Sequence, residues 1–501
     1  MEDLFYRRKW EALKTREPDS RMLARLSDQI AHSFLDKYLK DHSVEERYID
    51  LLCEMSTSPE AQELNSQAAR SLFGIIIESL CDEFEELQTM TYNQVMTRVI
   101  AYCRGIPAGR SLDDELKRFQ LFSRQDLLER IIALRQKESG LENPRRVQTA
   151  IILSRVTLGA DVAITSVVIQ RLQKALPGVR IVVVGAEKLQ QVYGGNRNLS
   201  LKQVDYARRG GLLQRLDPWH QVLECIREET RTVSPGGLVL FDPDSRLSQL
   251  GVLPVCPFPD SFFFDSRSER NWSSHRSMAE TANAWLDRIV GEQGLCFPRV
   301  WVPEAAAVKA RHLAETIRAH GAARLVVLNF GVGGNARKRV GPEFETRLMH
   351  RLLQEPKTVL LLDTGAGSQE LESGRIVLQR LKDLGHPVRE QGFASDAHPV
   401  QERGVLGIRA AFGEMSALIA CADEFIGYDS AFQHIAAAQG TPCLTIFAGS
   451  NNMRFIRRWS AFGPNSSRII HVDTLNHPRG VDVEDIVVRV MHQRALAGLL
   501  A

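Results

Sequence analysis

The stretch "GYDSAFQHIAAAQGTPCLTIFAGS", residues 427–450, decides the fold of the chain. A buried-strand run, "EFIGY" (424–428), gives out at Asp429 and Ser430. An alanine-rich helix follows and is stopped by Gly440 and Pro442, after which "CLTIFA" reads as a second buried strand. Ser430 and Gln433 have the S-x-x-Q spacing of a capping box, so the helix is expected to start at Ser430. Strands apolar on both faces with a helix between them are the grammar of a parallel α/β sheet. The same unit sets the first-turn amides of a helix at the carboxyl end of a strand, where a phosphate binds well. Ala431, Ala436, Ala437 and Ala438 let the helix lie close to its sheet, and His434 falls on the face of Ser430, one turn in. The plainer reading leaves Asp429 and Ser430 as caps and His434 as a satisfied buried histidine.

The same grammar extends upstream. "VQTAIILSRV" is a buried strand from residue 147, "TLGAD" a turn, and "VAITSVVIQRLQKALPG" a helix with Ile164, Val168, Leu172 and Ala175 on one face and Gly178 at its stop. "RIVVVG" is the next strand, and "GGLVLFDPDSRLSQLGVLPV" a strand ending in Asp242, with a turn and a helix expected after it. A second set begins at "ARLVVLNFGVGGNARK", a strand opening into a glycine-rich loop. It continues through the helix "PEFETRLMHRLL", the strand and loop "TVLLLDTGAGS" and the helix "ELESGRIVLQRLKDLG". Before all of this, the sequence is helical in pattern, as in "DDELKRFQLFSRQDLLERIIALRQKE", where Leu116, Phe119, Leu127, Leu128, Ile131 and Leu134 recur at spacings of three and four. The expected organisation is a helical domain over 1–145, a Rossmann-like domain over 146–305 and a second over 306–501, with a cleft where the strand ends of the two α/β domains face each other.

Composition narrows the function classes. At 501 residues with 44% hydrophobic and 25% charged residues, the chain can bury sizeable cores without covalent staples. A formal net charge of +2 gives no global footprint for nucleic acid, so anion binding must be local. The eight cysteines are dispersed, without a C-x-x-C pair or a Cys/His cluster at metal-ligand spacing, and read as reduced packed thiols. "MEDLFYRRKWEALKTREPDS" has no apolar run of signal-peptide length, and no run reaches the ~18 residues of a membrane span, so the expectation is a cytoplasmic protein. Peripheral contact at the inner face of a membrane, through basic pieces such as "RRK" (7–9), is left open beside a solvated charge run.

"MSALIACADEFIGYDSAFQHIAAAQGTPCLTIFAGSN" resembles the signature of the heptosyltransferase-like glycosyltransferases of family 9: a strand, Asp-Thr/Ser-Gly-x-x-His, an alanine-rich helix, Gly-Thr-Pro, and a strand ending in Phe-Gly-x-Thr/Ser. "RVTLGADVAITSVVIQRLQKALPGVRIVVV" and "VVLNFGVGGNARKRVGPEFETRLMHRLL" resemble two further units of that family, in the same order. The resemblance covers about residues 147–490 and leaves the helical N-terminus outside it. It implies a GT-B fold and metal-independent, inverting transfer of a sugar from a nucleotide-diphosphate donor, with no cofactor. Asp429, Ser430, Ala431 and Phe432 would line the donor's phosphate and sugar, with His434 supporting them and Gly333 in the glycine-rich loop. Lys338, or Arg337 or Arg339 in a shifted register, would meet the leaving phosphate. Asp161 matches the family's base, against the plainer reading of a helix N-cap. Glu370, or Gln369 in another register, would reach the nucleoside, against that of an exposed first-turn acid. Ala160 and Ala431 stand where the family has glycine, and "KRVGPE" replaces its K-x-W-P-x-E.

Other features remain open. Asp242 and Arg246, at a strand end, are acceptor-side candidates. "FPDSFFFDSRSERNW" (258–272) reads either as an acceptor platform or as a core-packing aromatic run. "RFIRRW" (454–459) offers phosphate contacts or a solvated surface. The acceptor is expected to be a glycan, a glycolipid or a protein. The helical N-terminus would dock an acceptor, a partner or a second copy of the chain, or simply brace the catalytic pair. The alternative function is a GT-B-like binding or assembly module without transfer activity, and the sequence does not identify the sugar or the nucleotide base.

Overall fold

Continuous apolar runs along the central strands demand cover on both faces, and the fold supplies it with three cores. The computed structural model of the chain describes residues 2–14, 19–59, 65–81, 84–206, 209–268, 276–333, 335–365, 367–395, 402–476 and 480–499. Five strands, β1 (Thr149–Leu153), β2 (Arg180–Gly185), β3 (Leu199–Gln203), β4 (Leu238–Asp242) and β5 (Ser261–Phe263), form a first parallel sheet in the order β3-β2-β1-β4-β5. Seven more form a second parallel sheet: β6 (Arg324–Asn329), β7 (Thr358–Asp363), β8 (Val388–Gly392), β9 (Gly404–Arg409), β10 (Glu424–Tyr428), β11 (Cys443–Ala448) and β12 (Ser467–Val472). Their order is β12-β11-β10-β6-β7-β9-β8. Central strands β1, β4, β10 and β11 are buried along their whole length, while the edge strands β3 and β8 are half-exposed, as a parallel sheet covered on both faces requires.

Before β1 the chain is helical, in segments from Glu2–Lys14 to Arg124–Gln136. The expected run across 113–138 is two helices, because Gln120 turns left-handed (φ 60°) and Ser123 starts the second with a reciprocal Ser123/Asp126 capping box. The core of the helical segments runs on into one face of the first sheet through Ile151, Leu153, Val182 and Leu240. The opposite face, with Ile152, Val183 and Phe241, shares a core with Leu325, Val327 and Phe425 of the second sheet. The far face of that sheet closes a third core. Among the described residues no helix is long and apolar enough to cross a membrane.

Two local expectations are corrected. "TLGAD" is not a free turn: a helix already begins at Leu158 with Thr157 before it, passes through a π-helical turn at Asp161–Thr165 and continues to Ala175. After Asp242 no helix forms beyond a single 3₁₀ turn at Arg246–Ser248. Ser245 N and Ser248 Oγ donate to the Asp242 carboxylate at 2.7 and 2.5 Å and tie the loop back on the strand, and Gln249 and Leu250 then turn left-handed.

Candidate active site

In a parallel sheet the strand order reverses at one place, and the loops leaving the two strands there diverge and open a crevice. In the second sheet that place lies between β6 and β10. The loop after β6 brings Lys338, and the turn after β10 brings Asp429; Lys338 Nζ meets Asp429 Oδ2 at 2.5 Å. Lys338 keeps 26% of its side chain exposed and Asp429 only 8%, so the ammonium faces the crevice and the carboxylate backs it. Gly449, at the end of β11, holds the 336–338 turn in place: its φ is 75°, and a Cβ there would lie 2.4 Å from the Arg337 carbonyl oxygen. Of the three basic candidates, Arg337 is exposed, Arg339 is paired with Glu345, and Lys338 is the one turned to Asp429. Tyr428, which sequence reasoning passed over, ties the same loop to β10: its hydroxyl donates to Glu345 at 3.0 Å and accepts from Val340 N at 3.2 Å.

The helix Ala431–Ala438 follows Asp429, but the expected capping box is absent. Gln433 Nε2 donates to Asp429 Oδ1 at 2.7 Å, and Gln433 Oε1 does not accept from the Ser430 backbone N–H as a capping box would have it. The Ser430 hydroxyl and Gln433 Oε1 are out of solvent and have no hydrogen-bond partner. Unmet polar atoms at a buried helix mouth are costly unless a ligand meets them. Phe432 is not free to line a sugar: its ring stacks on Phe412 with centroids 4.5 Å apart. His434 is buried against Trp459, and burial pushes its pKa down to about 4, the nearby Asp429 opposing only in part. The helix mouth faces the other lobe, for Gly159 of the first α/β domain lies so close that a Cβ on it would sit 3.0 Å from Ala431 Cα. Gly333 lies in the loop after β6 at φ 60° with open space around it.

Beside this crevice, a narrow cleft between the ends of β6 and β7 is lined by Asn329, Gly331, Asp363, Gly365 and Glu370. Glu370 points into it rather than into bulk solvent, and a Cβ on Gly331 would lie 3.0 Å from Glu370 Oε1. The side chain of Gln369 lies outside the described residues. Burial raises the Asp363 pKa to about 6 against its bonds from Gly365 N and Asn329 Nδ2.

In the first sheet the order reverses between β1 and β4. Asp161 sits behind the loop after β1, fully buried. Its carboxylate accepts from Ser154 Oγ (2.8 Å), Arg155 N (2.7 Å) and Thr165 Oγ1 (3.0 Å). It is no N-cap, since the helix starts at Leu158, and desolvation lifts its pKa to about 6. Asp242 is likewise turned inward to hold its loop, and burial raises its pKa to about 7. Arg246 lines a cavity of about 280 Å³ together with Arg155, Thr157, Asp244 and Trp459. Arg155 and Asp244, each within a few residues of a strand end, were legible only as loop residues.

The two open stretches resolve into packing. Phe262 stacks on Phe241 and Phe264 packs on Trp285, so "SFFF" (261–264) is core, while Phe258 is exposed; residues 269–272 of that stretch lie outside the described residues. In "RFIRRW", Arg454 donates to the Phe84 carbonyl at 3.0 Å and Arg458 to that of Ser266, so the helix Met453–Arg458 clamps the second α/β domain to the rest of the chain. The eight cysteines are free thiols. Among the described residues no group of three or more His, Cys, Asp or Glu is placed to hold a metal ion.

Residues 390–479, which carry Asp429 and the small-residue helix, match glycosyltransferase family 9 (heptosyltransferase). Two parallel sheets meeting at their strand ends define the GT-B class. That match lies within the second sheet and its helices, and to that extent the chain is heptosyltransferase-like. It is similar in structure to a glycosyl transferase family 9 protein of Veillonella parvula, at 18% identity over 70% of this chain and 96% of that one (TM-score 0.47). It is also similar to the ADP-heptose LPS heptosyltransferase II of E. coli, at 13% identity over 70% and 99% (TM-score 0.45). The E. coli heptosyltransferase WaaC with ADP aligns at 12% identity over 69% and 99% (TM-score 0.44). No curated protein matches the sequence.

Proposed function

We propose that the protein is an inverting, metal-independent glycosyltransferase that moves a sugar from a nucleotide-diphosphate sugar to a hydroxyl of a glycan, glycolipid or protein. The observation that carries this reading is the placement of Lys338 and Asp429 over the first turn of the helix Ala431–Ala438, at the reversal point of the second sheet. In the proposed reaction the acceptor oxygen bonds to the anomeric carbon as the bond from that carbon to the phosphate oxygen breaks. The electron pair stays on the departing diphosphate. Its charge grows beside the Lys338 ammonium and the amides of Ser430 and Ala431, which can stabilise it without a metal. The unmet Ser430 hydroxyl is a donor for the same oxygens. In this reading Glu370, in the cleft beside the crevice, takes up the donor's nucleoside.

The acceptor's proton goes to Asp161. With a pKa of about 6 the group is ionised at neutral pH and basic enough to take the proton, provided the 154–157 loop yields on acceptor binding. The enclosure of Asp161 by three donors is also the one observation that favours a GT-B-like binding module without transfer activity. Incubation with a panel of nucleotide-diphosphate sugars separates the two readings. An enzyme binds and slowly hydrolyses one of them and loses both properties in Asp429→Ala, whereas a module releases no nucleotide from any of them.

A further inference from the structure

The cavity at the carboxyl ends of β1 and β4 is built by more than the first α/β domain. Its outer wall is Phe73 and Glu78 of the helical domain, and Trp459 closes it from the second α/β domain. Arg155, Arg215 and Arg246 line it against the acids Glu78 and Asp244. Asp244 is already engaged, with Arg267 Nη2 at 3.2 Å and Ser266 Oγ at 2.5 Å, which leaves the guanidinium of Arg155 short of partners. Its Nη1 is buried with no hydrogen-bond partner, and its Nη2 lies 3.9 Å from Asp244 Oδ2, beyond hydrogen-bond reach. Burial lowers the Arg155 pKa, and an anion in the cavity would offset that.

The backbone around the cavity is strained in a way the packing alone does not require. Eight non-glycine residues among those described have a left-handed φ, and Val156, Asp244, Gln249 and Leu250 lie in the two loops that floor this cavity. Val156 is β-branched, for which φ of 61° is costly, and its strain sets the guanidinium of Arg155 on one side and Thr157 on the other. Such strain concentrates where side chains must be aimed at a ligand. Tyr206, Gln249 and Thr157 add neutral polar groups to the lining. The space suits one sugar ring with a charged substituent.

We propose that this cavity is the acceptor's anion site. A carboxylate or phosphate on the acceptor sits against Arg155, Arg215 and Arg246, and the helical domain, through Phe73 and Glu78, forms the wall that selects it. The assignment of the ligand as acceptor rests on the transferase reading; the anion site itself does not. The helical domain is then part of the binding site rather than only a brace.

The test is calorimetric titration of the full chain with glucuronate, glucose 6-phosphate and neutral glucose. At least one charged sugar binds and glucose does not, and which of the two binds assigns the carboxylate or the phosphate. Arg155→Gln and Arg246→Gln each weaken that binding by about tenfold or more, the scale of a lost charge-assisted hydrogen bond. Glu78→Gln on the exposed wall strengthens it by roughly twofold to fivefold. A variant that merely unsettled the fold would not produce opposite signs. Lys338→Ala leaves the binding within about twofold, which separates this site from the donor site. Equal binding of charged and neutral sugars, binding of neither charged sugar, or charged-sugar binding unmoved in Arg246→Gln and Arg155→Gln overturns the proposal. Nucleotide diphosphates are titrated in parallel: if none binds while a charged sugar still does, the transferase reading fails and the anion site stands.

Discussion

Lys338 and Asp429 form a pair that is neither a surface ion pair nor a buried one, and that intermediate setting matters for their chemistry. Asp429 fixes the ammonium at the crevice, yet the lysine retains the exposure that the proposed contact with a phosphate requires. Behind the pair, two buried titratable groups pull stability in opposite directions with pH. The Asp161 pKa is raised from 3.8 to about 6, so the folded state holds its proton longer, and stability falls as pH rises from about 4 to about 6. The His434 pKa is lowered from 6.5 to about 4, so the folded state resists protonation, and stability falls as pH drops from about 6.5 to about 4. Each effect amounts to about 3 kcal/mol at most. Urea unfolding at pH 4 and pH 7 is therefore expected to show Asp161→Asn losing less stability than the parent on going to pH 7, and His434→Gln losing less on going to pH 4. Parallel pH profiles for parent and variants would show that neither group titrates as described. With the true acceptor, Asp161→Asn is expected to cut turnover by 100-fold or more, the general-base scale of about 10²–10⁴, with donor affinity unchanged in a binding titration.

Elements were readable in the sequence to the extent that local chemistry fixes them. The strands β1, β10 and β11 and the helix Ala431–Ala438 followed from continuous apolar runs and from Gly440 and Pro442, because burial on both faces leaves no other pattern. What failed was side-chain partnering near the site. Spacing pairs Ser430 with Gln433, but the Gln433 amide is instead turned to donate to Asp429, one residue earlier, which leaves its Oε1 without the Ser430 N–H. The role of Gly159 was also out of reach, since its neighbour Ala431 is 272 residues away in the chain. Gly159→Val places a branched side chain on that contact and is expected to cost about 1–3 kcal/mol, read as a lowered Tm. An unchanged Tm would mean that the lobes do not meet there. In the clamp helix Met453–Arg458, Arg458→Ala removes a buried guanidinium from the Ser266 carbonyl and from the Phe84 ring, 4.6 Å away. About 2–4 kcal/mol of lost stability is expected, read by urea unfolding, and a loss below about 0.5 kcal/mol would show that the clamp is idle.

At the scale of the molecule, both sheets put their reversal points to the same cleft, one with Lys338 and Asp429 and the other with Arg155, Arg246 and Asp244. The half with Lys338 and Asp429 was legible, since its turn, helix and loop are contiguous segments with motif spacing. Of the other half only Arg246 was read beforehand: Phe73, Glu78, Arg155, Arg215 and Trp459 come from three parts of the chain and have no shared spacing to read. The central claim is that the helix mouth beside Lys338 holds the diphosphate of a sugar donor. Calorimetric titration of the full chain with ADP, UDP and GDP tests it most directly. One of them is predicted to bind the parent, and Lys338→Ala to weaken it by about tenfold or more. Failure of all three to bind, or equal affinity in parent and variant, would contradict the claim.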